Sequence, residues 1–173
     1  MTDLVTVDGL LRMVLDGRGR YDGDEAVDDL AHALQTAALA RSARADPDVV
    51  AAALLHDVGH HPEVEGLFPL VPHELAAARL VEPLLGARAA WIVREHVAAK
   101  RHLAATDSGY LAALSPASLA SLQRQGGPAL LPQFADGWGP LALDLRRWDD
   151  LAKVVDAPEQ PDLIDLCRAA AAF

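Results

Sequence analysis

Residues 49–55, VVAAALL, form an unbroken apolar run that ends directly in His56-Asp57. The run is far shorter than the roughly 18 apolar residues of a membrane helix, so it reads as a helix buried in a protein core. An ionised aspartate at the end of such a helix is costly unless something compensates its charge. A metal ion does so, and imidazole beside carboxylate is a ligand set that suits iron, manganese or zinc. The plain alternative is a His-Asp pair on the surface at a helix end.

The rest of the chain supports a helical setting. Apolar residues make up 51% of the 173 residues but aromatics only 5%, and Ala and Leu dominate. These are strong helix formers and poor strand formers. Periodicity predicts helices near 2–16, 26–44, 47–58, 72–85, 87–104, 115–125, 138–155 and 161–172. Asp46-Pro47, Pro72 and Pro161 suit helix starts, and Gly59 and Gly86 suit helix stops. No stretch alternates with period two, so the expectation is an all-α fold, one compact bundle spanning 1–173.

Composition also excludes several function classes. A net charge of −10 argues against nucleic acid, whose phosphates need a basic surface. The single cysteine, Cys167, rules out an internal disulfide and a cysteine-rich zinc site, and reads as a core thiol. The N-terminus carries early acids and lacks the basic start of a signal peptide. The expectation is a cytoplasmic protein with no membrane partner; nothing in the sequence speaks to oligomeric state.

Four further residues extend the His56-Asp57 feature. His32, in DLAHALQTAALA, lies among apolar residues on what should be an inward helix face. His73, in PHELAAARL, falls in a first helical turn. His96, in WIVREHVAAKRHL, interrupts an apolar stripe, and Asp149, in LDLRRWDDLAK, follows Trp148. Each alone has a plain reading as a core histidine or a surface group. Together they give His, His-Asp, His, His and Asp on successive helices.

That order resembles the HD superfamily, whose signature is a histidine, a His-Asp doublet and a distant aspartate, here His32, His56-Asp57 and Asp149. The additional His73 and His96 resemble the subset that holds two metals. The resemblance implies one ion on His32, His56, Asp57 and Asp149, and another on Asp57, His73 and His96, with Asp57 bridging. Most HD proteins are phosphohydrolases that activate a metal-bound water. A smaller branch, including myo-inositol oxygenase and the 2-amino-1-hydroxyethylphosphonate dioxygenases, uses mixed-valent Fe(II)/Fe(III). The segments AAALLHDVGH, HVAAKRHL, LSPASLASLQRQGG and LRRWDDLAK are similar to the phosphonate enzymes, and the last two are not general HD features.

Spacing separately points to an anionic ligand. Lys100 lies four residues after His96, Arg146 three before Asp149, and His60 four after His56. Residues three or four apart share a helix face, so each could point to the same centre as its neighbouring ligand; solvated surface charges are the alternative. The resemblance implies that His60, Lys100, Arg146 and a serine, Ser118 before Ser121, contact a phosphonate. Ser115 before Pro116 reads as a helix cap. The resemblance also implies that Tyr21 fills an open iron position until substrate displaces it. Asp24 or Glu25 could face a substrate ammonium, and His61, His102, Arg101 and Arg147 are expected to face outward.

The implied reaction consumes O2 and cleaves the carbon–phosphorus bond of a small organophosphonate to phosphate and a carboxylic acid. For 2-amino-1-hydroxyethylphosphonate that acid is glycine. The interval from Asp57 to His73 is short for these enzymes, which suggests a lid of different shape. A quaternary-ammonium substituent touching Trp138 or Tyr110 by a cation–π contact is one expectation. A metal-dependent phosphohydrolase and a non-catalytic module with a structural metal are the alternatives.

Overall fold

In a computed structural model, residues 5–21 and 25–171 are described. They form helices α1 (Val7–Leu15), α2 (Asp29–Ser42), α3 (Pro47–Leu55), α4 (Pro62–Leu67), α5 (His73–Thr106), α6 (Ser108–Ala113), α7 (Pro116–Arg124), α8 (Gly139–Leu151) and α9 (Asp162–Ala170). Two short 3-10 turns add Val58–His60 and Pro132–Phe134. The described residues contain no strand, so the all-α expectation holds.

Helix α3 is the axis of the fold. Every residue from Val49 to Leu55 is buried, as expected of a helix apolar on all sides. It packs against α2, α5 and α9, while α8 lies across α2 and α5. The small side chains of Ala51, Ala52 and Ala53, all fully buried with Ala37, Ala77 and Ala89, let these helices approach closely. Leu54, Leu80, Ile92 and Leu163 fill the remaining space. Truncating one such leucine to Ala costs about 2–5 kcal/mol. Cys167 is buried in this cluster, and burial pushes its thiol up to about 12, as befits a core residue rather than a nucleophile.

Helix ends follow local chemistry. Thr6 accepts from the Gly9 N–H at 3.0 Å, and Asp28 accepts from the Ala31 N–H at 2.8 Å, each satisfying a first-turn donor. Pro47 and Pro116 occupy the first helical position. Ser115 caps α7 by accepting from the Ser118 N–H at 3.1 Å. Gly86 has φ +84° inside α5, a left-handed conformation that breaks the helix into the two expected segments.

Several boundaries depart from expectation: α2 begins at Asp29 rather than near 26, and α8 ends at Leu151 rather than near 155. Helix α3 ends at Leu55 rather than near 58, because Asp57 adopts φ −101° and ψ 7° and turns the chain towards the interior of the bundle. Gly59 therefore stops no helix and lies within the following 3-10 turn. Helices α4 and α6 were not anticipated. His61 caps the first, accepting from the Glu63 N–H, and Asp107 caps the second, accepting from the Tyr110 N–H. Among the described residues no helix is long and apolar enough to cross a membrane.

Candidate metal centre

Helices α2, α3, α5 and α8 bring His32, His56, Asp57, His73, His96 and Asp149 together. His56 is fully buried, and His96 and Asp149 nearly so. The two oxygens of Asp57 face different histidines. Oδ2 lies 3.1 Å from His56 Nε2 and 3.6 Å from His32 Nε2. Oδ1 lies 3.5 Å from His73 Nε2 and 3.6 Å from His96 Nε2. Asp149 joins the first group, with His32 Nε2 at 3.3 Å and His56 Nε2 at 3.6 Å.

The outer nitrogens fix the tautomers. Nδ1 of His32, His56 and His96 meets the backbone carbonyls of Ala152, Ala53 and Val93 at 2.9, 2.8 and 2.7 Å. A carbonyl only accepts, so each Nδ1 carries the proton and each Nε2 presents a lone pair inward. His73 turns Nδ1 to the Glu74 carboxylate at 3.3 Å, which has the same effect.

The arrangement fits metal ions on three counts. Two donors each about 2.1 Å from one ion stand about 3.0–3.4 Å apart at octahedral or tetrahedral angles, close to the separations here. The buried Nε2 of His56 has no hydrogen-bond partner among the described residues. The inward nitrogens of His73 and His96 face each other at 3.2 Å, an arrangement of lone pairs that repels unless a cation or proton intervenes. The residues form two groups of suitable donors, His32-His56-Asp57 and Asp57-His73-His96, which share Asp57.

Electrostatics agree. Burial opposes charge on His32, yet the hydrogen bond and charge of Asp149, with Asp57 behind it, hold the imidazole up at about 9, so a proton and a metal ion compete for its Nε2. The same carboxylates raise His56 against the effect of burial. Burial, then the neighbouring His73, pushes His96 down to about 3, leaving it neutral as a ligand must be. The cluster draws positive charge towards Asp57 and Asp149.

A cavity of about 570 Å³ opens on this cluster. His60, Lys100, Ser118, Ser121, Arg146 and Tyr21 all line it. Lys100 is buried and donates to Ser121 Oγ at 2.5 Å. Burial, reinforced by Arg146, pushes its ammonium down to about 8. The guanidinium of Arg146 is clamped, with Nη1 2.5 Å from Asp149 and Nε 2.8 Å from Asp150. The His60 ring stacks on His73 at 3.9 Å between centroids, and its carbonyl accepts from Arg20 at 3.2 Å. Tyr21 is exposed. Asp24 lies outside the described residues.

Some outward-facing expectations are corrected. His61 lines the same cavity because capping α4 turns its ring inward. His102 accepts from the Leu131 N–H at 3.1 Å and packs on Phe134, and Arg101 donates to the Gly127 carbonyl. Arg147 does face out, towards Asp144. Trp138 packs beside Trp91, and Tyr110 donates to Asp150 at 2.5 Å; neither lines the cavity.

Sequence reasoning passed over Asp150 and Lys153. Asp150 accepts from Tyr110, Arg146 and Ser118, so it sets the orientation of two cavity residues. Lys153 donates to Ser118 Oγ at 3.2 Å and to Glu25 at 2.5 Å. A signal existed in the four-residue spacings Arg146–Asp150 and Asp149–Lys153, the spacing rule that had found Lys100.

The HD domain family matches residues 29–127. The hydroxymethylphosphonate dioxygenase of Gimesia maris is 37% identical over 151 residues, covering 82% of this chain and 75% of that protein. The [1-hydroxy-2-(trimethylamino)ethyl]phosphonate dioxygenase (glycine-betaine-forming) of Leisingera caerulea is 39% identical over 130 residues, covering 71% of this chain and 66% of that protein.

Proposed function

The chain belongs to the HD-domain family, and we propose that it is an O2-dependent di-iron oxygenase that cleaves the carbon–phosphorus bond of a small 1-hydroxyphosphonate. The observation that carries this reading is the split of the Asp57 carboxylate, one oxygen towards His32 and His56 and the other towards His73 and His96. The names of the two relatives supply the reaction class. The domain is taken to run over 1–173, since Asp149 and Arg146 lie beyond the matched segment.

In this reading His32, His56, Asp57 and Asp149 would hold one iron, and Asp57, His73 and His96 would hold the other. Bound iron would supply a site for dioxygen and the redox capacity for oxidising the hydroxyl-bearing carbon. The reaction balances without a further reductant, because hydroxyphosphonate plus O2 has the composition of carboxylic acid plus phosphate.

The chain's own residues supply binding and orientation. Lys100 and Arg146, buried at the cavity wall, neutralise the phosphonate dianion, and the hydroxyls of Ser118 and Ser121 add donors. His60 is held against His73 by stacking and by Arg20, so its ring reaches substrate beside a metal ligand. Asp150 keeps Arg146 and Ser118 in place. Tyr21, at the exposed side of the cavity, would shield bound iron in the absence of substrate, and Asp24, three residues on in the sequence, would face a substrate ammonium. The Nδ1 contacts to carbonyls maintain the tautomers that iron needs.

The test is phosphate release from hydroxymethylphosphonate and from 2-amino-1-hydroxyethylphosphonate by iron-loaded protein, in air and under anaerobic conditions. Release in air alone supports the oxygenase. Release without oxygen would place the chain among the phosphohydrolases.

A further inference from the structure

The cavity contains an ion pair that bears on substrate choice. Lys153 Nζ lies 2.5 Å from Glu25 Oε1 and 3.2 Å from Ser118 Oγ. Both charged side chains are about four-fifths shielded, at 19% and 21% exposure, and all three residues line the cavity. Glu25 lies four residues after Tyr21 in the sequence, and Lys153 stands just past the end of α8, four residues after Asp149. The pair thus joins Glu25 to the wall that carries Ser118 and Arg146.

The two relatives bear names that differ at one point. One acts on a phosphonate with nothing beyond its hydroxymethyl group, the other on a phosphonate with a trimethylamino group. A cationic substituent needs an acceptor or an anionic neighbour. The described acids that line this cavity, metal-site residues aside, are Glu25, Asp29 and Glu65. Asp29 faces Arg20 at 3.8 Å, Glu65 is exposed, and Glu25 is engaged by Lys153.

Building on the oxygenase reading above, we infer that Lys153 occupies Glu25 and makes the cavity selective for hydroxyphosphonates whose remaining substituent is uncharged. A substrate ammonium reaching Glu25 must displace Lys153 and then lies beside a second cation, a juxtaposition that costs binding in a partly desolvated site. The same lysine adds to the cations around the phosphonate. The pair therefore favours the anionic end of the substrate and disfavours a cationic tail.

The inference is tested by binding rather than turnover. Propylphosphonate and 2-aminoethylphosphonate have nearly the same shape, differ by one ammonium, and lack the hydroxyl that is oxidised. Calorimetry on folded, metal-loaded protein is expected to give a dissociation constant for propylphosphonate about tenfold lower. Lys153→Met frees Glu25 and should shrink or invert that ratio. Glu25→Gln leaves Lys153 uncompensated and should widen it. Opposite movements in the two variants cannot come from a general loosening of the site. A wild-type preference for 2-aminoethylphosphonate, or a ratio that neither variant moves, overturns the inference alone. Binding of neither probe by the wild type overturns the phosphonate reading on which it rests.

Discussion

The backbone oxygen of His73 lies 2.1 Å from the point where a Cβ on Gly59 would stand, and the His73 Cα lies 2.8 Å from it. The turn after the His56-Asp57 doublet is thus seated directly on the residue that begins α5. No side chain fits between them, so glycine here serves close approach.

Gly59→Ala must therefore push His73 away from Asp57. The expected cost is about 1–3 kcal/mol of stability, typical of overpacking, together with loss of metal from the His73-His96 side. Thermal unfolding and metal content measured on the same preparation check both parts.

Metal counting tests the two proposed groups of ligands. His73→Ala or His96→Ala should retain the ion on His32, His56 and Asp149 and lose the other. His32→Ala should do the reverse, and Asp57→Ala should release both. Elemental analysis per chain is the measurement. Equal losses from all four variants would contradict a shared Asp57.

How much of this was legible in the sequence depended on whether the determinant was local. The six residues of the cluster were singled out by their order along the chain and the resemblance it carries, and Pro47, Pro116 and Gly86 mark helix ends through fixed or left-handed φ. The early end of α3 was not legible, because nothing in VVAAALLHDV forbids another helical turn. Its cause is the turn at Asp57, whose carboxylate faces His32 on α2 and His73 and His96 on α5. His61 was misread for a related reason, since its orientation follows from capping a helix too short to show periodicity. The Glu25–Lys153 pair joins positions 128 residues apart, which no spacing rule reaches.

Asp150→Asn should weaken phosphonate binding without removing metal. The carboxylate accepts from Arg146 through Nε and Nη2 and also from Tyr110 and Ser118; a neutral amide cannot replace that set. The Kd for a phosphonate should rise about tenfold, in line with losing charged hydrogen bonds of about 1.5–3 kcal/mol. Tyr110→Phe, which removes one donor, should have a smaller effect. Unchanged metal content would distinguish the loss from collapse of the site.

Lys100 predicts an alkaline limit to substrate capture. Its ammonium is held down at about 8 by burial and by Arg146. It is charged and attracts the dianion below that pH, and loses the charge above it. kcat/KM should therefore fall as pH rises through about 8, since that ratio reports groups of the free enzyme. In Lys100→Met, kcat/KM should be lower throughout and this limb should be absent.

The most direct test follows one reactant and one product of the proposed chemistry in one vessel. Oxygen uptake and phosphate release are followed together as iron-loaded protein acts on hydroxymethylphosphonate. The account predicts that the two traces rise in parallel at equal molar amounts and both stop when oxygen is withdrawn. Phosphate appearing without oxygen uptake would contradict it.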